Sequence, residues 1–134
     1  MQTLTSKPTS NMTITRPDDW HVHLRDGAAL ASVLPHTARQ FARAIVMPNL
    51  QPPLTTLEAA SEYRERVLNT MVNAVRSGLL PEGADFTPLM TLYLSDNTSA
   101  QEIARAKQSG IVHAVKYYPA GATTNSGAGV ARLE

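Results

Sequence analysis

The chain has 134 residues, with 12 Lys and Arg against 11 Asp and Glu and a formal net charge of +1. That balance leaves no basic footprint for nucleic acid or an anionic membrane, and the absence of cysteine excludes disulfides and thiolate metal sites. A hydrophobic content of 43% is enough for one core, and the length suits a single domain.

Residues 1–12, rich in Ser, Thr and Asn, read as a disordered leader, leaving 13–134 as the folded part. The leader has no apolar h-region and no later run approaches a membrane span. A cytoplasmic location is therefore expected, and the N-x-S/T matches at Asn11 and Asn97 are read as chance. Residues 18–24 form the first predicted core strand, with Trp20, Val22 and Leu24 on one face and His21 and His23 on the other. Gly27 breaks it, and residues 28–40 are helical by composition, although Pro35 should bend or restart that helix. Residues 43–47, Arg-Ala-Ile-Val-Met, are a short apolar strand of the kind buried in parallel sheets, ending in the proline-rich loop Pro48-Asn49-Leu50-Gln51-Pro52-Pro53.

Thr55-Thr56-Leu57-Glu58 reads as a capping box, with Thr55 as N-cap and Glu58 reaching back. The helix behind it carries an apolar stripe of Leu57, Ala60, Val67, Leu68, Met71, Val72 and Val75, opposite Glu62, Glu65, Arg66 and Asn69. After the turn at Pro81-Glu82-Gly83, residues 86–94 form a third strand. Ser99-Ala100-Gln101-Glu102 is a second capping box, opening a helix to Lys107, and residues 111–118 form a fourth strand. From Pro119 onward there is no periodicity.

Repeated strand-helix units with buried strands imply parallel pairing and right-handed crossovers. Four strands can make a small open sheet or half of an eight-stranded barrel, since a complete barrel needs at least about 200 residues. In either architecture function sits at the C-terminal ends of the strands. His21, His23, Arg25, Asn49 and Lys116 all fall on that rim.

Two histidines one residue apart on a strand point to the same side and can close on one ion, for which imidazole suits zinc. An isolated H-x-H, being so short, is more often a polar stripe on a half-exposed strand. Lys116 interrupts the apolar run Ile111-Val112-His113-Ala114-Val115. A lysine there can simply snorkel to water. Facing a barrel interior beside a metal, it would lose its proton readily. The neutral amine can then take up carbon dioxide, giving a carbamate with two oxygens and a negative charge.

Three blocks in order, Asp19-Trp20-His21-Val22-His23-Leu24-Arg25-Asp26-Gly27, Ala44-Ile45-Val46-Met47-Pro48-Asn49-Leu50-Gln51-Pro52-Pro53 and Val115-Lys116-Tyr117-Tyr118-Pro119-Ala120-Gly121-Ala122-Thr123-Thr124-Asn125-Ser126, resemble the dihydroorotases in their shorter bacterial form, within the amidohydrolase superfamily. The resemblance spans about residues 13–130. It implies a partial TIM (β/α)8 barrel made of the first four βα units. It also implies that His21 and His23 bind the more buried zinc, that carboxylated Lys116 bridges two zinc ions, and that Arg25 and Asn49 hold the substrate carboxylate. The implied reaction is the reversible interconversion of N-carbamoyl-L-aspartate and L-dihydroorotate in pyrimidine synthesis.

The family's further zinc histidines and its general acid/base aspartate lie on later strands and have no counterpart here, so no catalytic residue is assigned within the chain. His36 falls in a helix, and His113, three residues before Lys116, points to the opposite face. The sequence therefore reads as the N-terminal half of such an enzyme, holding at most one zinc well. A non-catalytic half-barrel that binds metal weakly or pairs with another chain is the competing reading, and self-association stays open.

Overall fold

The computed structural model describes residues 11–122 and 126–132. In chain order the elements are β1 Asp18–Val22, α1 Gly27–Gln40, β2 Arg43–Val46, α2 Leu57–Arg76, β3 Thr87–Tyr93, α3 Ala100–Gln108 and β4 Val112–Lys116. The expected leader falls largely outside the described residues, as do Thr123, Thr124 and Asn125 of the third sequence block. The four strands form one parallel sheet in the order β1-β2-β3-β4, each joined to its neighbour through a helix. This is the α/β arrangement expected of the first four units of a TIM barrel.

Register assigns each face of the sheet a separate job. Val22 pairs with Val46, and Ala44, Val46, Met90 and Leu92 share a cluster with Leu30 and Leu34 of α1 and Val67 and Met71 of α2. Ile45 pairs with Leu89 and Tyr93 pairs with Lys116, so Ile45, Leu89, Thr91, Tyr93 and Lys116 occupy the other face. β3 is covered on both sides, and along it only Thr87 is exposed. Its continuous apolar sequence has that cause.

Several local expectations change. α1 runs unbroken through Pro35, whose ring is buried in the core, so packing offsets the lost backbone donor. The N-cap of α2 is Thr56, not Thr55: its hydroxyl accepts from Ala59 N at 3.2 Å. Glu58 pairs with Arg105 of α3, and its carboxylate also accepts from the Thr56 side chain. The Leu57 amide donates instead to Glu102 Oε1 at 2.5 Å, which ties the start of α2 to the first turn of α3. Ser99 caps α3 as expected, accepting from Glu102 N at 3.1 Å.

The buried stripe of α2 is Ala60, Tyr63, Val67, Met71 and Ala74, while Val72 is 54% exposed. Tyr63 belongs to it by helical spacing, because a buried tyrosine contributes its ring to the core and needs only one partner for its hydroxyl. Trp20, on the side of β1 expected to face the core, is 62% exposed at the edge of the described sheet. The Arg43 guanidinium lies 5.9 Å from its ring centre. All four strands are shorter than expected: β1 ends at Val22 and β4 at Lys116, so the last residues of each predicted strand lie in the rim loops.

Candidate metal and carboxylate site

β1 ends just before the second histidine, yet strand parity persists across the boundary. His21 and His23 turn to the same side, with their Nε2 atoms 3.3 Å apart and ring planes tilted by 45°. Two nitrogens bound at 2.0–2.1 Å to a tetrahedral zinc lie about 3.3–3.4 Å apart, so the spacing fits two imidazoles on one ion. The pair supplies only half of such a shell. Among the described residues no group of three His, Cys, Asp or Glu comes together that could hold a metal. Unmodified Lys116 adds a cation and no anionic ligand. The donor set therefore fits zinc only if the lysine is converted to an acid.

His23 is the hub of the site. Burial pushes its pKa below the ordinary histidine value, and the charges of Arg25, His21 and Lys116 push it the same way. A hydrogen bond with the Asn49 side chain opposes them. All four other candidates thus act on this one ring. The balance favours neutral imidazole, the form that binds metal.

Arg25, Asn49 and Lys116 arrive from three different strand ends. Arg25 sits in the turn between β1 and α1, in the left-handed region with φ of 63°. Asn49 follows β2 by three residues and is half-buried. Lys116 is the last residue of β4, held against β3 by Leu94 N donating to its carbonyl at 2.9 Å. Its Nζ lies 5.2 Å from the Tyr118 ring centre, and that ring stacks on Tyr93 at 5.3 Å. Exposure alternates along β4, with His113 and Val115 exposed and Ala114 and Lys116 half-buried. His113 therefore faces away from Lys116, and His36 is exposed on α1.

Thr91 was not singled out from the sequence. It is 1% exposed, pairs in register with Ala114, and its hydroxyl has no partner. A threonine in a β-strand is ordinary by propensity, so only the register brings it to the Lys116 face. The segment after β4 folds back beside it. Val130 N donates to the Tyr118 carbonyl at 2.8 Å, Ala120 N to the Val130 carbonyl at 3.0 Å, and Ala131 N to the Asp96 carboxylate at 3.1 Å.

The chain is 67% identical over 122 residues to the dihydroorotase of Cupriavidus necator, an alignment covering 91% of this chain and 33% of that protein. It is 64% identical over 125 residues to the dihydroorotase of Methylobacillus flagellatus, covering 93% of this chain and 34% of the relative. The crystal structure of the Campylobacter jejuni dihydroorotase superposes with a TM-score of 0.73 at 39% identity, over 87% of this chain and 31% of that one. The dihydroorotase of Saccharomyces cerevisiae in complex with 5-fluoroorotic acid gives a TM-score of 0.69 at 40% identity, over 85% and 28%. The chain thus spans about a third of the length of the curated relatives it matches. The profile of the Amidohydrolase family matches residues 17–133, nearly all of the sequence, and the chain belongs to that family.

Proposed function

We propose that these residues form the N-terminal four βα units of a zinc-dependent cyclic amidohydrolase acting on L-dihydroorotate. The observation that carries the reading is the convergence of the His21 and His23 nitrogens to 3.3 Å beside Lys116, Asn49 and Arg25. The likeness to dihydroorotases supports the substrate class. In the reaction, water opens the ring amide of L-dihydroorotate to give N-carbamoyl-L-aspartate, and the reverse step closes it.

His21 and His23 would hold one zinc through their Nε2 atoms. Lys116, once its Nζ has taken up carbon dioxide, would offer two carbamate oxygens, one to that ion and one to a second. Zinc, when bound, supplies Lewis acidity for the attacked carbonyl and lowers the pKa of water. Arg25 presents a planar guanidinium suited to a carboxylate, and an Asn49 side-chain N–H can donate to the same group. These two fix the pyrimidine ring at the rim. The acid/base function is assigned to no residue of this chain.

The test is hydrolysis by the natural full-length protein of L-dihydroorotate, hydantoin and allantoin, before and after zinc removal. Zinc-dependent turnover confined to dihydroorotate is expected. Preference for another cyclic amide would reject the substrate assignment, and full activity after chelation would reject the metal. For the 134 residues alone, the absence among the described residues of any group of three His, Cys, Asp or Glu favours the second reading, a half-barrel that binds metal weakly or pairs with another chain, without turnover.

A further inference from the structure

We propose that Tyr63 and Arg66 of α2 are positioning residues that hold Arg25 in its left-handed turn and so aim its guanidinium at the substrate carboxylate. This inference rests on the reading of Arg25 as the carboxylate clamp. Among the described residues, Arg25 is the only non-glycine with positive φ. A β-carbon disfavours that conformation, so something outside the turn must impose it.

Local sequence does not, because the residue that tolerates positive φ freely is Gly27, two positions on, and it too adopts φ of 57°. Two consecutive residues are instead gripped from α2, one by its carbonyl and the other by its side chain. The Tyr63 hydroxyl donates to the Arg25 carbonyl oxygen, and Tyr63 is fully buried. Burial raises its pKa, which keeps the proton on the donor. One turn along, Arg66 reaches the Asp26 carboxylate with Nη2 at 2.9 Å and Nε at 3.2 Å. The same guanidinium covers the Tyr63 ring at 5.3 Å, so the two anchors brace each other. Asp26 also accepts from Gly27 N at 2.9 Å and starts α1.

The Arg66–Asp26 pair is 46% and 39% exposed, and water screens it heavily. Its contribution is then one of geometry more than of stability. It fixes the plane of the turn while Tyr63 fixes the carbonyl direction. Leu24, just before the turn, is fully buried on the helix side, so the turn has a fixed floor and two side anchors. The His23 ring feels the Arg25 charge.

The experiment uses the natural full-length protein. Tyr63→Phe keeps the ring, and Arg66→Gln removes an exposed pair and the guanidinium over Tyr63 but no buried side chain, so neither variant threatens folding. Each is measured alone and together with Arg25→Ala. Each alone should raise KM for L-dihydroorotate about tenfold while kcat stays within about twofold and zinc content is unchanged, the pattern of lost ground-state binding. With Arg25→Ala already present, neither should lower kcat/KM further, because residues acting through one group are not additive. An unchanged KM in both single variants would overturn the proposal, as would equal losses with and without Arg25. The clamp reading fails separately if Arg25→Ala alone leaves KM unchanged.

Discussion

The Nε2 atoms of His21 and His23 lie 3.3 Å apart, although the backbone between them leaves β1 at Val22. Two imidazoles at this distance can share a proton or an ion, and only a shared ion makes both rings necessary to metal binding. His21→Ala and His23→Ala should therefore each weaken zinc binding at least as much as the roughly 10–100-fold loss seen for outer-shell groups. Zinc per chain after dialysis, measured by mass spectrometry, reads this directly. His36→Ala, remote on α1, should leave zinc content unchanged. Equal zinc retention in all three variants would show that the pair does not hold the ion.

Lys116 is expected to carry a carbamate, because an acid at this position adds a third ligand beside the two histidines. In the natural full-length protein, Lys116→Ala should lose most bound metal. Added acetate or propionate should restore part of it by standing where the carbamate oxygens were. Full zinc occupancy in the alanine variant without added acid would assign the lysine a purely structural place.

Strand parity and the positions of strand ends were enough to bring five candidate residues to one rim. They are backbone regularities, and side chains at i and i+2 on a strand share a face whatever surrounds them. What escaped depends on distant partners. Tyr63 carries a polar atom on an apolar stripe, so hydropathy alone excludes it, and its role appears only when the Arg25 carbonyl arrives from another unit. Thr55 and Thr56 are equivalent as caps by composition, and Glu102 decides between them by taking the Leu57 amide from 45 positions away. Trp20 follows the alternation correctly, and its exposure comes from the sheet edge, not from its own strand.

Gly129 is buried where the chain returns beside Tyr118, and a Cβ there would overlap the Tyr118 carbonyl oxygen and lie 3.0 Å from that of Ser126. Both are backbone atoms, and the Tyr118 oxygen also receives Val130 N at 2.8 Å. Gly129→Ala should loosen this return by about 1–3 kcal/mol, the usual cost of overpacking. Amide exchange of Val130 and Ala131 should quicken accordingly. Gly127→Ala, with nothing within 4 Å, is the control and should exchange like the native chain. Unchanged exchange in Gly129→Ala would show that the loop can shift at no cost.

Asp26 gives a pH signature. Burial raises its pKa, but hydrogen bonds from Arg66, the Gly27 amide and the Arg66 charge outweigh that and leave it below 3.8. A carboxyl with a depressed folded pKa stabilises the protein above its unfolded pKa, and that contribution fades as pH falls through the folded value. The difference in melting temperature between native protein and Arg66→Gln should therefore be constant above about pH 5 and shrink toward zero below about pH 3. For so exposed a pair it should amount to less than about 1 kcal/mol at its largest. A difference that persists undiminished in acid would mean Arg66 acts through its stem and the Tyr63 ring.

The 134 residues by themselves should be catalytically silent. His21, His23 and one carbamate oxygen give a first zinc three ligands, but the other oxygen alone cannot hold a second ion that needs about four. Among the described residues no further His, Cys, Asp or Glu group can make up the difference. The sheet compounds the deficit. β1 and β4 are its two edges, and Trp20, Val115 and Tyr117 near them are 62%, 41% and 40% exposed. Unpaired strand edges beside apolar side chains recruit further strands, so the isolated polypeptide should self-associate. The purified 134-residue polypeptide, supplied with zinc and bicarbonate, is assayed for dihydroorotate hydrolysis and sized by light scattering. Association without turnover is the expected outcome. Turnover at about 1 s⁻¹ or faster, the range of ordinary enzymes, would sink the prediction and mean that copies of the chain complete one another's sites.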